Sequence, residues 1–225
     1  MLVTPPKSRW RERLLALIAS IVLVAILVTL WLRPQKSLWS WGGLYFPVRT
    51  KLETRAFAQG DLRWAYDHLG KSEGTMQTEG CAVTSAAIIL ATYGIDVDPG
   101  RLNRFLTDHE GYIDQGILVW ERAADYAPGK CYKAYEGDAS YSRIDLNLLR
   151  GNPVIVRVRL PSGITHFVVI VGKDGFDYLI RDPGSASARG AYPLSELVPR
   201  IEALRYYKKV GDRDDKLWLR GPSLM

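Results

Sequence analysis

From Leu14 to Leu32 the chain runs through 19 residues of which only Ser20 and Thr29 are polar. As a helix this stretch spans about 28 Å, close to the ~30 Å hydrocarbon core of a bilayer. A cleaved signal peptide is the competing reading. The stretch is longer than the usual signal core, however, and it is followed by Arg33-Pro34-Gln35-Lys36 rather than by a small-x-small cleavage site. The sequence therefore predicts an uncleaved transmembrane helix over 14–32, preceded by a basic segment 1–13 and followed by a juxtamembrane linker 33–54. Four basic residues precede the helix and Arg33, Lys36, Arg49 and Lys51 follow it. The charges nearest the span favour a cytoplasmic N-terminus and a domain on the outer side, periplasmic or extracellular. Trp31, Trp39, Trp41, Tyr45 and Phe46 flank the exit, where aromatic rings suit either the headgroup layer or packing on the domain.

Beyond the span, enough chain remains for one domain with its own core, predicted over 55–210 with a tail at 211–225. The net charge of +6 hints at an anionic partner, but residues 1–36 carry Lys7, Arg9, Arg11, Arg13, Arg33 and Lys36 against Glu12 alone. Nearly all the excess is local to the span, so a nucleic-acid partner is not expected. His68, His109 and His166 are scattered, and no Cys or His spacing resembles a metal site. Gly70-Lys71-Ser72-Glu73-Gly74-Thr75 holds the residue types of a phosphate loop in the wrong order. No cofactor or metal is expected. Two cysteines are too few for a disulfide framework, and the position of Cys81 favours a free thiol over a bridge to Cys131.

The domain reads as α+β. Residues 55–59 suggest a short strand or extended lead-in, and 61–69 a helical turn ended by Gly70. Helices are expected after an N-cap at Thr78, with Cys81 in the first turn and Gly94 as the stop, over 99–108 with Pro99 at the first position, over 116–126, and over 141–150. The period then changes to two. VIVRVRL at 154–160, THFVVIVG at 165–172, FDYLIRD at 176–182 and IEALRYYK at 201–208 are strands with short links, hence an antiparallel sheet behind a mainly helical first half. Trp64 and Trp120 read as core anchors and Cys131 as a structural thiol.

Two places concentrate chemistry. In Thr78-Glu79-Gly80-Cys81-Ala82-Val83 a cysteine stands where a polar loop becomes an apolar helix, with Thr78 as the expected N-cap. The helix dipole and the unpaired N–H groups of a first turn there favour a thiolate. The second place is the link Lys173-Asp174-Gly175. A three-residue hairpin loop ending in glycine pairs residues whose numbers sum to 348, which sets His166 opposite Asp182. A carboxylate there orients an imidazole and fixes its tautomer. A loop one residue different would break the pairing.

Gln59-Gly60-Asp61-Leu62-Arg63-Trp64, Gly80-Cys81-Ala82-Val83-Thr84-Ser85-Ala86 and Gly94-Ile95-Asp96-Val97-Asp98-Pro99 resemble the papain-like bacterial cysteine peptidases related to the double-glycine leader peptidases that process bacteriocins. Gly151-Asn152-Pro153, His166-Phe167-Val168-Val169-Ile170-Val171-Gly172 and Arg181-Asp182-Pro183 continue the pattern, which covers most of 55–207. The resemblance implies a papain-like fold with a central Cys-bearing helix packed on an antiparallel sheet. It also implies that Cys81 is the nucleophile, His166 the base, Asp182 its orienter and Gln59 the side-chain oxyanion donor. In the best-known members that glutamine stands shortly before the cysteine, whereas 21 residues separate Gln59 from Cys81. Gln77 is nearer and remains the alternative. Such peptidases are usually fused to an export ATPase; no ATPase motif is present, so a stand-alone member is expected and the leader substrate is not carried over.

The reading is a membrane-anchored cysteine peptidase acting on a peptide or protein substrate. The alternatives are an acyltransferase or amidase using the same thiol, or a binding module that keeps the fold without catalysis. Gly184 to Gly190 is expected to form a mobile rim of the cleft.

Overall fold

The computed structural model describes residues 9–184 and 189–211. The expected segment 1–13, the rim and the tail therefore lie wholly or partly outside the described residues. α1 (Trp10–Leu32) contains the apolar run, begins four residues before it and has no buried residue. The Ser20 hydroxyl donates to the Ala16 carbonyl at 2.9 Å and the Thr29 hydroxyl to Ala25 at 2.7 Å, so the two polar side chains are satisfied within the helix. Among the described residues α1 is the one helix long and apolar enough to cross a membrane.

Residues 33–54, expected as a linker, instead enter the domain. β1 (Leu38–Trp39) and β2 (Trp41–Lys51) follow α1 directly. Then come α2 (Met76–Glu79), α3 (Cys81–Thr92), α4 (Pro99–Asp108), β3 (Tyr112–Ile113), β4 (Ile117–Leu118) and α5 (Trp120–Ala124). The second half adds β5 (Cys131–Asp138), α6 (Tyr141–Leu149), β6 (Val154–Arg159), β7 (Thr165–Arg181), β8 (Tyr192–Pro193), a 3-10 turn at Leu194–Glu196, β9 (Arg200–Ile201) and β10 (Ala203–Lys209). The main sheet has the order β2-β7-β6-β10-β5, all antiparallel, with β8 added to β7. β1 pairs β9 and β3 pairs β4 in separate two-stranded sheets. The linker reading failed because the pairing partners of β1 and β2 lie more than a hundred residues away, beyond any local signal.

The apolar runs of β6 and β7 follow from burial on both faces. Ile155, Val169 and Val171 join the core around α3, α4 and α5. Val154, Val156, Val158, Val168 and Ile170 alternate to the other side and pack with Ile144 and Leu148 of α6. α3 is thus walled in: nine of its twelve residues are buried, including Thr84, Ser85, Ile88 and Ile89.

Punctuation residues behave as their chemistry requires. Asp98 accepts from Arg101 N–H at 2.8 Å and starts α4 at Pro99. Ser140 caps α6, and Gly94 and Gly151, both at positive φ, follow the ends of α3 and α6. The helix expected over 116–126 is shorter. Asp114 and Gly116 at positive φ make the β3–β4 turn, and only Trp120–Ala124 is helical. Residues 55–59 form no strand, and 61–69 are turns rather than helix. Trp64 and Trp120 are buried.

Candidate active site

Cys81 is the first residue of α3, but the helical path starts earlier than expected. Thr75, not Thr78, caps α2, and the Thr78 hydroxyl accepts from Thr75 N–H at 3.1 Å. Gly80 joins the two helices: its N–H reaches Met76 O at 2.9 Å, and its own carbonyl accepts from Thr84 N–H at 2.9 Å. A Cβ on residue 80 would run into the Met76 carbonyl oxygen, so glycine lets the chain enter α3 here without a backbone shift. Cys81 itself is buried and its thiol is free, as is that of Cys131. Burial pushes the Cys131 thiol up to about 11, which makes it inert at neutral pH.

The base side is built by β7. Seventeen residues of straight strand would reach about 55 Å. Yet His166 Nε2, at one end, lies 2.7 Å from Asp182 Oδ1, just past the other. β7 therefore doubles back on itself as a hairpin. Gly175, at φ +57°, occupies the left-handed position assigned to it at the end of the loop. Lys173 in that loop is fully buried, its ammonium bonded to Asp145 of α6 at 2.7 Å and to Gly42 O at 2.6 Å. The turn end of the hairpin is thereby fixed, and the open end carries the imidazole and the carboxylate.

Asp182 is held by three donors. Besides His166 it accepts from Gly184 N–H at 2.8 Å through Oδ1 and from the Tyr192 hydroxyl at 2.9 Å through Oδ2. Burial opposes its charge, but these hydrogen bonds keep its pKa below the ordinary carboxylate value. For His166, burial likewise disfavours the cation. The hydrogen bond to Asp182, and after it the Cys81 side chain, more than offset this and raise the ring to about 9. With Nε2–H given to Asp182, Nδ1 is the nitrogen left to exchange a proton with a thiol. Burial and the adjacent carboxylate push the Tyr192 phenol well up, so it stays a donor.

Gln59 sits between the two halves. Its backbone N–H donates to Pro183 O at 2.8 Å, and its Nε2 donates to Gln77 O at 2.7 Å. The 21 intervening residues are no obstacle, because Met76 and Gln77 N–H return to Asp67 and Ala65 carbonyls at 2.9 Å each. Nε2 has a second N–H free for another acceptor. Gln77 is exposed. Tyr192 and the Gly184 amide were missed by sequence reasoning. The Asp-Pro-Gly turn gives a local reason for Gly184, whereas nothing around Tyr192 signals its contact, which depends on β8 pairing with β7.

A free thiol at the start of a buried helix and an imidazole oriented by a buried carboxylate are groups that thiol acyl chemistry uses, here within a mixed helix and antiparallel-sheet domain. The chain belongs to the Peptidase_C39 like family, whose sequence model matches residues 53–212. That membership supports a cysteine peptidase. A crystal structure of a C39-like peptidase from Bacillus anthracis is similar at 21% identity, covering 72% of this chain and 99% of that one with a TM-score of 0.47. No curated protein matches the chain.

Proposed function

We propose that this chain is a membrane-anchored, papain-like cysteine peptidase that hydrolyses peptide bonds through Cys81, His166 and Asp182, with Gln59 as oxyanion donor. The observation that carries the reading is the buried His166–Asp182 hydrogen bond of 2.7 Å, in a chain whose free Cys81 thiol stands at the start of α3. In this mechanism His166 Nδ1 takes the Cys81 proton, and the thiolate adds to the scissile carbonyl. The oxyanion is met by the second Nε2–H of Gln59 and the Cys81 amide. The imidazolium returns its proton to the departing amine, and water, deprotonated by the same ring, hydrolyses the thioester. Asp182 stays ionised throughout and holds the tautomer. The anchor is α1, which has no buried residue and is apolar from Leu14 to Leu32 apart from Ser20 and Thr29, with the N-terminus cytoplasmic and the domain on the outer side.

The test is cleavage of a peptide library by the full-length chain in detergent, with new termini read by mass spectrometry. Cys81→Ser and His166→Ala are expected to remove all cleavage. Products carrying an added amine instead of water would move the assignment to acyl transfer. Cleavage unchanged in Cys81→Ser would refute the reading.

A further inference from the structure

The path from α1 into the domain is short and fixed at both ends. The Trp31 indole N–H donates to Asp145 Oδ2 at 2.9 Å, and Leu44 N–H reaches the same oxygen at 2.7 Å. Between them Gln35 N–H donates to Ala139 O at 2.7 Å. Lys36 follows the last residue of α1 by four positions, so it lies no more than about 14 Å of chain beyond the span. That distance falls in or just above the headgroup layer.

Lys36 there lines a cavity of about 740 Å³ with Arg157, Arg159, Arg200 and Glu202, walled by Leu160, Pro161 and Pro199. Glu202 is taken by Arg159 at 2.8 and 3.2 Å and by Arg157 at 3.3 Å. Lys36 and Arg200 have no carboxylate partner among the described residues. Arg200 lies 3.9 Å over the ring of half-exposed Trp39, and Trp41 and Tyr45 are exposed nearby in the chain. Four cations against one carboxylate, an apolar wall and a half-exposed indole beside Arg200 suit the phosphate of an anionic lipid, with its glycerol against the prolines.

We infer that this cavity is a binding site for the phosphate group of anionic lipid in the bilayer that α1 crosses, and that Lys36 and Arg200 are its free cations. Occupied, it adds a second tie between domain and membrane and limits rotation of the catalytic domain about the α1 exit. The inference rests on α1 being a membrane span and is independent of the peptidase chemistry.

The test uses the full-length chain in nanodiscs of equal phosphatidylglycerol and phosphatidylcholine, with retained lipid counted by native mass spectrometry. Selective retention of phosphatidylglycerol is expected. Lys36→Gln and Arg200→Gln should each lower it about five-fold, the factor for one cation near an anionic surface, and together about 25-fold. Both side chains are exposed, so the melting temperature should not change; Lys36→Arg should restore retention. Equal retention of the two lipids, or a double variant that keeps its phosphatidylglycerol, overturns the site. Displacement of the lipid by millimolar inorganic phosphate overturns the lipid assignment in favour of a soluble anion. Carbonate extraction separates the two failures: a chain washed off membranes refutes the anchor, whereas one that stays but shows no lipid preference refutes the site alone.

Discussion

Replacing Asp182 by Asn keeps the shape of the side chain and removes its charge. In the native chain the Asp182 hydrogen bond is the strongest influence raising His166 against burial, and the ring reaches about 9 from an ordinary 6.5. Without the carboxylate, only the Cys81 side chain is left to oppose burial, and the ring is expected to titrate well below its native value. The native elevation corresponds to about 3 kcal/mol at 1.36 kcal/mol per pH unit. Because the folded state binds the proton more tightly than the unfolded one, this contribution is complete below pH 6.5 and is lost as pH rises from 6.5 to 9. Ring-proton NMR of the three histidines, with His166 assigned by its alanine variant, follows the titration directly. Denaturant unfolding at pH 6.5 and 9 follows the linked stability. The native chain should lose more stability than Asp182→Asn over that interval, by at most about 3 kcal/mol because the Cys81 side chain supplies part of the elevation. A His166 midpoint that stays near 9 in Asp182→Asn, or a native midpoint near 6.5, would refute the reasoning.

Three further outcomes are expected. Gln59→Ala should lower kcat by about 10²–10³ with little change in KM, while Gln77→Ala stays within a few-fold; steady-state kinetics on one cleaved peptide distinguish them. Asp145→Ala leaves the fully buried Lys173 ammonium without its carboxylate, and urea denaturation should show a loss of about 3–5 kcal/mol. Gly80→Ala drives a methyl group toward Met76 O and should cost about 1–3 kcal/mol in the same assay, with slower alkylation of Cys81.

What was legible in the sequence was what local chemistry controls. The Lys173-Asp174-Gly175 loop brings together two residues 16 positions apart, and His166 does meet Asp182. Asp98-Pro99 marks the start of α4, and Gly94 and Gly151 mark helix ends, because each acts through its own backbone. What stayed hidden depends on distant pairing. Trp41 to Lys51 carries an adjacent glycine pair and shows no clean alternation, so it gives no strand signal, yet it lies along β7. Asp145 looks like an ordinary helix carboxylate until Lys173, Tyr178, Trp31 and Leu44 converge on it. Tyr192 supports Asp182 only because β8 docks beside the hairpin. The cap of the helical path leading into Cys81 was placed three residues late, since two threonines three apart offer competing caps and only the packed structure selects Thr75, which starts α2 ahead of α3.

The central claim is that Cys81 is a nucleophile activated by His166. The most direct measurement treats the full-length chain with a peptidyl acyloxymethyl ketone at neutral pH and maps the adduct by mass spectrometry. A single thioether on Cys81, absent from Cys131 and lost in His166→Ala, is the predicted result. Equal labelling of both cysteines, or labelling of Cys81 at the same rate without His166, would contradict it.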